Sequence, residues 1–322
     1  MAVKMILAFV IALVMCLLAY PLAIPALHKL KFGQSIREEG PKSHMVKTGT
    51  PTMGGLVFIA ASIMATLIVI PQSFREINLI VVILAYVGYS VIGFIDDFLI
   101  VVKKNNKGLL PRYKFFMQSV LAVIFYLFYK DVNDSTIIIP FIGKSLELGW
   151  FYMVLVFFMF TGTSNAVNLS DGLDGLSSGL VILATIPFVY FCVRSNNISI
   201  AIFLCAVIGS LIGYLRFNLH PAKIFMGDTG SLALGGLLAA VAMVTKEELA
   251  LVLIGGVFVL EALSVIIQVA YFKATHGKRI FRMSPIHHHF ELGGMPETKV
   301  VYMFWSWGAV LSLLGILMGV LM

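Results

Sequence analysis

Five of the seven aspartates in this sequence lie close to glycines at the ends of apolar segments. They are Asp96, Asp97, Asp171, Asp174 and Asp228. Glycine permits tight backbone turns and the close approach of a ligand. Carboxylates are hard oxygen ligands that suit Mg²⁺, which proteins usually hold with one or two carboxylates and with the phosphates of a substrate. Aspartates, glycines and nearby lysines together indicate phosphate chemistry.

The stretch NAVNLSDGLDGL, residues 165–176, places polar residues between two long apolar runs. Asn165, Asn168, Asp171 and Asp174 are each three residues apart. If a helix continues through them, this spacing puts neighbours on overlapping faces of the helix. Because carboxylates are expensive in hydrocarbon, we expect this polar stripe to face the protein interior and to line a site.

Three consecutive histidines, 287–289, follow Ile286 in the sequence. Consecutive helical residues point about 100° apart, so three imidazoles in a row cannot readily converge on one metal ion. Two interpretations remain open: a solvated loop, or one or two imidazoles that contact phosphate, which titration near neutrality would suit. Glu261 and Gln268, close to Gly255 and Gly256, also have two interpretations. They mark a bend or a lipid groove, or they are packed interior polar groups.

The amino-acid composition indicates which kind of secondary-structure element positions these residues. The chain has 322 residues, of which 60% are hydrophobic and 12% charged, and its mean hydropathy is +0.98. Such values are typical of an all-α, polytopic membrane protein. Apolar runs predict ten spans, the first retained as a helix and not removed as a signal peptide, near 5–24, 54–71, 78–95, 114–129, 150–167, 176–193, 199–215, 232–244, 249–272 and 301–321. No linker divides the chain, so residues 1–322 are expected to form one transmembrane domain.

The distribution of lysine and arginine predicts the orientation. Alternate connecting segments carry seventeen of these residues, against six on the other side, so the seventeen are expected in the cytoplasm and both termini outside. The seventeen are Lys29, Lys31, Arg37, Lys42, Lys47, Lys103, Lys104, Lys107, Arg112, Lys114, Arg216, Lys223, Lys273, Lys278, Arg279, Arg282 and Lys299. Anionic membrane lipids or phosphorylated substrates are the natural partners of this face, and nucleic acid is not expected.

An ion-coupled transporter would also use carboxylates within a membrane protein. It predicts carboxylates in the middle of helices and on both sides of the membrane centre. The five aspartates instead cluster at the predicted cytoplasmic surface. This clustering favours an enzyme that handles phosphates over a transporter.

Five motifs resemble a known family in sequence and in order: KTGTPTMGG at 47–55, GFIDD at 93–97, NAVNLSDGLDGL at 165–176, FNLHPAKIFMGDTGSLALGG at 217–236 and PIHHHFE at 285–291. They are similar to those of the phospho-N-acetylmuramoyl-pentapeptide-transferases, and the likeness runs from about residue 28 to the C-terminus. The wider superfamily of polyprenyl-phosphate N-acetylhexosamine-1-phosphate transferases shares the aspartate motifs. A polyprenyl-phosphate GlcNAc-1-phosphate transferase is therefore the closer alternative.

The resemblance implies a reaction. Phospho-MurNAc-pentapeptide would pass from UDP-MurNAc-pentapeptide to undecaprenyl phosphate with Mg²⁺ as cofactor, giving lipid I and UMP, the first membrane step of peptidoglycan synthesis. It also implies ten helices with both termini extracytoplasmic, an active site facing the cytoplasm of a bacterial cell, location in the plasma membrane and a homodimer. Direct attack of the lipid phosphate is favoured, and a covalent phospho-aspartyl intermediate is the rival.

The resemblance also implies roles for residues. Asp228 would be the principal Mg²⁺ ligand, and Asp96 and Asp97 would lie close to the reacting phosphates. Further catalytic positions would be Lys114, Asn168, Asp171 and His287. Positions lining the nucleotide pocket would be Lys47, Thr52, Gly172, Leu173, Asp174, Asn218, Phe225 and His288, with Phe225 stacking on uracil. One departure is Ile100, which stands where the family often has lysine.

Overall fold

The structure is a computed structural model that describes residues 1–29, 47, 49–103, 108–139 and 143–320. Five of the cations counted above lie outside the described residues: Lys31, Arg37, Lys42, Lys104 and Lys107. The described residues form twelve α-helices and one two-stranded sheet. The helices are α1 (Ala2–Lys29), α2 (Gly55–Val69), α3 (Ile77–Lys103), α4 (Pro111–Tyr129), α5 (Phe151–Leu169), α6 (Leu176–Arg194), α7 (Ile198–Asn218), α8 (Gly227–Val244), α9 (Glu248–Ile254), α10 (Gly256–Ala274), α11 (Ile286–Glu291) and α12 (Glu297–Val320).

The predicted all-α membrane architecture is confirmed. Each of the ten predicted spans coincides with one helix or, in the case of 249–272, with two. Eight of the described helices are long and apolar enough to cross a membrane, namely α1, α3, α5, α6, α7, α8, α10 and α12. The shorter α2 is an apolar helix of 15 residues, and α4 has 19 residues.

The predicted single span over 249–272 is wrong in one respect, because the helix is interrupted. Helix α9 ends at Ile254 and α10 begins at Gly256. Between them, the amide of Gly255 donates to the carbonyl of Leu251 at 2.7 Å. Adjacent glycines are a common cause of such breaks, since they add no side-chain packing to hold the helix straight. The structure therefore places a helix break at Gly255, before the positions of Glu261 and Gln268.

Helix α8 lies at the centre of the bundle, packed between α3 and α5. Its residues from Thr229 to Val244 are all buried. Small residues allow this close packing: a Cβ added to Gly235 would lie 2.4 Å from the Cα of Ser164 on α5. Interfaces between membrane helices are typically rich in such small residues, because they let backbones approach. The first turn of α8 is thereby fixed relative to its neighbours.

A short antiparallel hairpin, which the sequence analysis did not predict, connects α4 to α5. Strand β1 (Thr136–Ile139) pairs with β2 (Lys144–Glu147). The run of isoleucines in β1 suits a strand because β-branched side chains favour extended backbone. The ammonium of Lys246 lies 2.7 Å from the carboxylate of Asp134, and this contact holds the pKa of Asp134 at about 2. The hairpin lies at the end of the bundle opposite to the aspartate motifs.

Candidate active site

The predicted catalytic residues collect at one end of the bundle. Asp96 and Asp97 lie near the end of α3, and Asn168 lies in the last turn of α5. Lys114 lies in the first turn of α4, and Asp228 in the first turn of α8. Residues separated by up to 132 positions in sequence are therefore brought together by the alternating direction of the helices.

Asp97 holds the N-terminus of α8. Met226, which precedes this helix, provides no side-chain cap. Asp97 accepts hydrogen bonds from the backbone N–H groups of Asp228 at 3.1 Å and of Thr229 at 2.9 Å, and from the Thr229 hydroxyl at 2.6 Å. Gly227 allows this approach, because its φ is +69° and an added Cβ would lie 2.3 Å from an Asp97 oxygen. The carboxylate thus satisfies N–H groups that a helix start leaves without partners.

Asp228 and Asp96 converge on one ammonium group. Lys114 Nζ donates to Asp228 Oδ2 and lies 3.7 Å from Asp96 Oδ2. The other oxygen of Asp228 accepts a hydrogen bond of 2.7 Å from the Asn168 amide, which also donates to the Ser231 hydroxyl at 2.9 Å. The Asp228 side chain is 22% exposed, so it remains accessible to a ligand. This arrangement places two carboxylates, an amide and an ammonium at one accessible point.

The helix does not continue through Asp171 and Asp174, so the condition set for a polar stripe on one helix face is not met, whereas the predicted span boundaries near 167 and 176 agree with the structure. Helix α5 ends at Leu169, and residues 170–175 form turns in which Gly175 has φ +80°. Glycines 172 and 175 favour such a turn over a continued helix. Burial, and then the charges of Asp228 and Asp97, raise the pKa of Asp171 well above the ordinary value for a carboxyl group. A protonated Asp171 can donate a hydrogen bond as well as accept one.

Four charged or titratable residues form a second group, the Lys47 cluster, consisting of Lys47, Asp174, His220 and Glu297. Lys47 Nζ lies 2.7 Å from Asp174 Oδ1 and 2.6 Å from Glu297 Oε1. His220 Nδ1 lies 3.0 Å from Asp174 Oδ2. The Asp174 side chain is 1% exposed, so its charge is compensated by these partners and not by water.

Asn218, predicted to line the nucleotide pocket, supports the same region from within. It is buried, and its side-chain oxygen accepts a hydrogen bond of 3.1 Å from the amide of Gly175. Its side-chain nitrogen donates to the carbonyl of Ile224 at 3.0 Å. Asn218 therefore connects the 170–175 turn to the segment that precedes Phe225.

Phe225 is fixed through its backbone. Its amide donates to the carbonyl of Pro51 and its carbonyl accepts from the amide of Gly54, both at 2.8 Å. The side chain is half-buried, which leaves ring surface available to a ligand. Thr52 and Leu173, both predicted to line the pocket, are buried. The substrate roles of these residues stay predictions.

The histidine run forms the short helix α11. His287 is fully buried, and its Nδ1 lies 3.0 Å from Glu261 Oε1, so the solvated-loop interpretation is wrong for this residue. Among the described residues its Nε2 has no hydrogen-bond partner, and a Cβ added to Gly172 would lie 2.3 Å from that atom. His288 Nδ1 instead lies 3.1 Å from Glu291. Neighbouring imidazoles thus contact different carboxylates, as their angular separation requires.

Sequence reasoning missed two residues of this region and left two others open. His220 and Glu297 were not singled out, although His220 lies within a quoted motif and Glu297 precedes the last span. Glu261 and Gln268 are interior polar groups. Gln268 accepts hydrogen bonds of 3.0 Å from the amides of Ile280 and Phe281, so it holds the segment before α11.

The residues present at Asp228 fit a divalent cation with oxygen ligands. Asp228 and Asp96 already direct carboxylate oxygens toward a cationic group, the ammonium of Lys114. In the Lys47 cluster, ligand atoms of Asp174, His220 and Glu297 also lie within 4.8 Å of one another. Both groups therefore contain a lysine ammonium, but the Asp228 side chain is 22% exposed, whereas that of Asp174 is 1% exposed. Mg²⁺ prefers oxygen ligands to imidazole, so Asp228 is the better candidate.

Comparison with known proteins gives one matching family. The family described as glycosyl transferase family 4 matches residues 79–246, slightly more than half of the chain. This range includes Asp96, Asp97, Lys114, Asn168 and Asp228. The match therefore covers the Asp228 group, whereas Lys47, His287 and Glu297 lie outside the matched range.

Curated relatives extend the likeness over nearly the whole chain. The phospho-N-acetylmuramoyl-pentapeptide-transferase of Bacillus subtilis (strain 168) is 54% identical over 299 residues, 92% of this chain and 92% of the relative. The protein of the same name from Bacillus thuringiensis (strain Al Hakam) is 55% identical over 305 residues, 94% of each chain. That of Halalkalibacterium halodurans is 50% identical over 314 residues, 97% of this chain and 96% of the relative.

Proposed function

The chain belongs to glycosyl transferase family 4 and, within it, to the phospho-N-acetylmuramoyl-pentapeptide-transferases, and from this premise we propose its reaction. It transfers phospho-MurNAc-pentapeptide from UDP-MurNAc-pentapeptide to undecaprenyl phosphate. The products are lipid I and UMP. One observation carries the proposal: Asp228, Asp96 and Lys114 form an accessible group of opposite charges beside Asn168, at the end of a bundle of membrane helices.

The acceptor is a phosphomonoester whose second pKa is about 6, so it is mostly dianionic at neutral pH. One of its oxygens attacks the β-phosphorus of the donor diphosphate and forms a new diphosphate bond. The bond between that phosphorus and the bridging oxygen breaks, and UMP leaves with the electron pair. Since the nucleophile has already lost its proton, a general base contributes little. Positioning and neutralisation of charge are then the main catalytic tasks.

Lys114 performs part of this neutralisation. Its ammonium lies between Asp228 and Asp96, so it can move toward a phosphate oxygen while staying within reach of both carboxylates. Asp228 and Asp96 would hold Mg²⁺, which when bound supplies positive charge to the diphosphate. Asp97 has a different task, because its oxygens already accept hydrogen bonds from the first turn of α8. It keeps Asp228 in place.

The uridine diphosphate portion of the donor lies beside the 170–175 turn. The half-exposed ring of Phe225 offers a stacking surface, and Lys47 offers a cation. Asp171, whose pKa is raised by burial and by the charges of Asp228 and Asp97, lies in the same turn. These features support a nucleotide pocket that adjoins the Asp228 group.

An apolar cavity provides a binding site for the acceptor lipid. It has a volume of about 230 Å³ and lies between α5 and the interrupted helix pair α9 and α10. Phe158 and Ala166 line one wall, and Leu251, Phe258 and Val259 line the other. Ala166 lies two residues before Asn168, so a polyprenyl chain in this cavity could present its phosphate to the catalytic group. The cavity would hold part of the chain, and surrounding lipid the rest.

The protein is expected to function as a homodimer in the bacterial plasma membrane, with this polar end in the cytoplasm. The bias of lysine and arginine toward the segments at this end supports the orientation. A cytoplasmic site is also required by a soluble, charged nucleotide donor. Both termini would then lie outside the cytoplasm.

The test is UMP release by the purified protein in detergent with undecaprenyl phosphate and Mg²⁺. We expect UMP from UDP-MurNAc-pentapeptide and at most a trace from UDP-GlcNAc. Release from UDP-GlcNAc alone would assign the protein to the GlcNAc-1-phosphate branch. No UMP from either donor, in a monodisperse preparation, would contradict the proposal.

A further inference from the structure

Four distant chain segments meet in the Lys47 cluster, and Glu297 contacts the other three. Its Oε1 accepts hydrogen bonds from Lys47 Nζ at 2.6 Å and from the backbone N–H of Asp174 at 2.8 Å. Its Oε2 lies 3.5 Å from His220 Nδ1. Glu297 is the first residue of α12, so these contacts connect the start of that helix to the 170–175 turn and to Lys47.

The side chain of Asp174 is fully engaged by other groups. Lys47 lies 2.7 Å from one carboxylate oxygen, and His220 and the backbone N–H of Ala222 each lie 3.0 Å from the other. The carboxylate of Asp174 is therefore poorly placed to bind a ligand. Within the cluster, the group whose direction can change is the ammonium of Lys47.

Lysine has three N–H donors. Within the described part of the chain, Asp174 and Glu297 accept two of those of Lys47. The side chain of Lys47 is 14% exposed, which leaves its third donor free for a ligand. Because a lysine side chain is flexible, two fixed acceptors are needed to define where the third donor points.

We propose that Glu297 is a positioning residue of the nucleotide pocket: it directs the remaining N–H of Lys47 toward the uridine diphosphate portion of the donor. The inference rests on the proposed function. Glu297 does not itself contact the donor, because its two oxygens face Lys47, Asp174 and His220. It acts through Lys47, and its contact with the backbone N–H of Asp174 holds the Glu297 carboxylate in place.

The effect of Glu297→Gln on donor affinity distinguishes positioning of Lys47 from simple charge repulsion, because the two predict opposite changes. Glu297 brings a negative charge close to the binding site of an anionic diphosphate. If that charge only repelled the donor, its removal in Glu297→Gln would tighten binding. If Glu297 positions Lys47, the same substitution weakens binding, since a neutral amide oxygen is a poorer acceptor for an ammonium than a carboxylate.

The experiment measures the Kd of UDP-MurNAc-pentapeptide by calorimetry for the full-length protein in detergent, without acceptor lipid. We expect Glu297→Gln to raise Kd about tenfold, the loss of one charge-assisted hydrogen bond, and to raise KM with kcat changed less than about twofold. Glu147→Gln, a matched change on the exposed strand β2, is expected to leave both unchanged. In a Lys47→Met background, Glu297→Gln should add little further loss.

Two results for the variants would overturn the inference. One is an unchanged or lower Kd of the donor in Glu297→Gln. The other is an equal loss of donor affinity on Glu297→Gln in the wild-type and Lys47→Met backgrounds. Should Glu297→Gln not be monodisperse, Glu297→Asp replaces it, because an aspartate is one methylene shorter and cannot keep both Oε1 contacts. Failure of the wild type to bind the donor would overturn the proposed function and this inference together, whereas normal wild-type binding with an unaffected Glu297→Gln would overturn this inference alone.

Discussion

Neighbouring carboxylates at the polar end have different tasks because their hydrogen-bond partners differ. Asp97 accepts three hydrogen bonds from the first turn of α8, and it is buried. Asp96 accepts one from the amide of Leu109 at 2.5 Å and faces Lys114. Asp228 is more exposed than either and holds Lys114 and Asn168. We therefore assign structural support to Asp97 and direct contact with phosphate or metal to Asp228.

This assignment predicts that Asp97→Asn destabilises the protein more than Asp96→Asn. The asparagine NH₂ group would face backbone N–H donors at the start of α8, which leaves a buried donor without a partner and removes a charge that the helix dipole favours. We expect a loss of about 1–3 kcal/mol for Asp97→Asn. Thermal unfolding in detergent measures both variants, and equal unfolding temperatures would contradict the assignment.

At the residue level, sequence motifs located the main site but not its supporting contacts. Asp228, Asp96 and Lys114 lie in motifs of the resembling family, and the structure brings them together. Glu297 and Glu261 carry no such local signal. Their partners, Lys47 and His287, lie 250 and 26 residues away, so only the tertiary structure shows that they meet.

At the level of elements, the contact between α3 and α8 determines where Asp228 lies. A Cβ added to Gly93 on α3 would lie 2.0 Å from the carbonyl oxygen of Asp228, so the two helices touch through backbone at this point. Gly236, further along α8, packs against a side chain instead, the ring of Tyr89. Small residues on both helices let α8 present its first turn to the site.

Gly93→Ala is therefore expected to displace the start of α8. A displacement of about 1 Å at a catalytic group costs about 10²-fold in rate, so UMP release should fall by a factor of that order. Gly88→Ala is the matched control on the same helix, because the atoms nearest to its Cβ would be those of the Leu121 side chain, which can move. Similar turnover in both variants would show that the α3 to α8 spacing does not set the geometry of the site.

Apolar runs predicted the spans well because a membrane helix must satisfy its own backbone hydrogen bonds over its whole length. They failed where backbone geometry depends on a few residues. The break between α9 and α10 occurs at two glycines inside a continuous apolar run. The hairpin between α4 and α5 is formed by short strands whose length gives little periodic signal.

At the scale of the whole molecule, charge and chemistry are distributed unequally between the two ends. Asp228, Lys114 and the Lys47 cluster lie at one end of the bundle, and the β1–β2 hairpin lies at the other. Lysines and arginines are concentrated in the segments at the first end. The proposed reaction requires that end to face the cytoplasm, where a nucleotide-linked donor is available.

The orientation predicts the labelling of two exposed lysine positions after substitution by cysteine. Lys144→Cys on β2 should react with a membrane-impermeant maleimide in intact cells, and Lys278→Cys should react only after permeabilisation. The native cysteines give little background, since Cys16 and Cys192 are buried and Cys205 is half-buried. The reverse pattern would place the polar end outside and would contradict the proposed donor.

The central claim is that Asp228 holds the cation that the transfer requires, and it is tested most directly by UMP release from UDP-MurNAc-pentapeptide against Mg²⁺ concentration. Asp228→Asn keeps the shape of the side chain but loses the charge that makes a carboxylate a good Mg²⁺ ligand. We expect turnover to fall by about 10²–10³-fold or more, with monodispersity in detergent unchanged. Near-normal turnover with an unaltered Mg²⁺ dependence would contradict the claim.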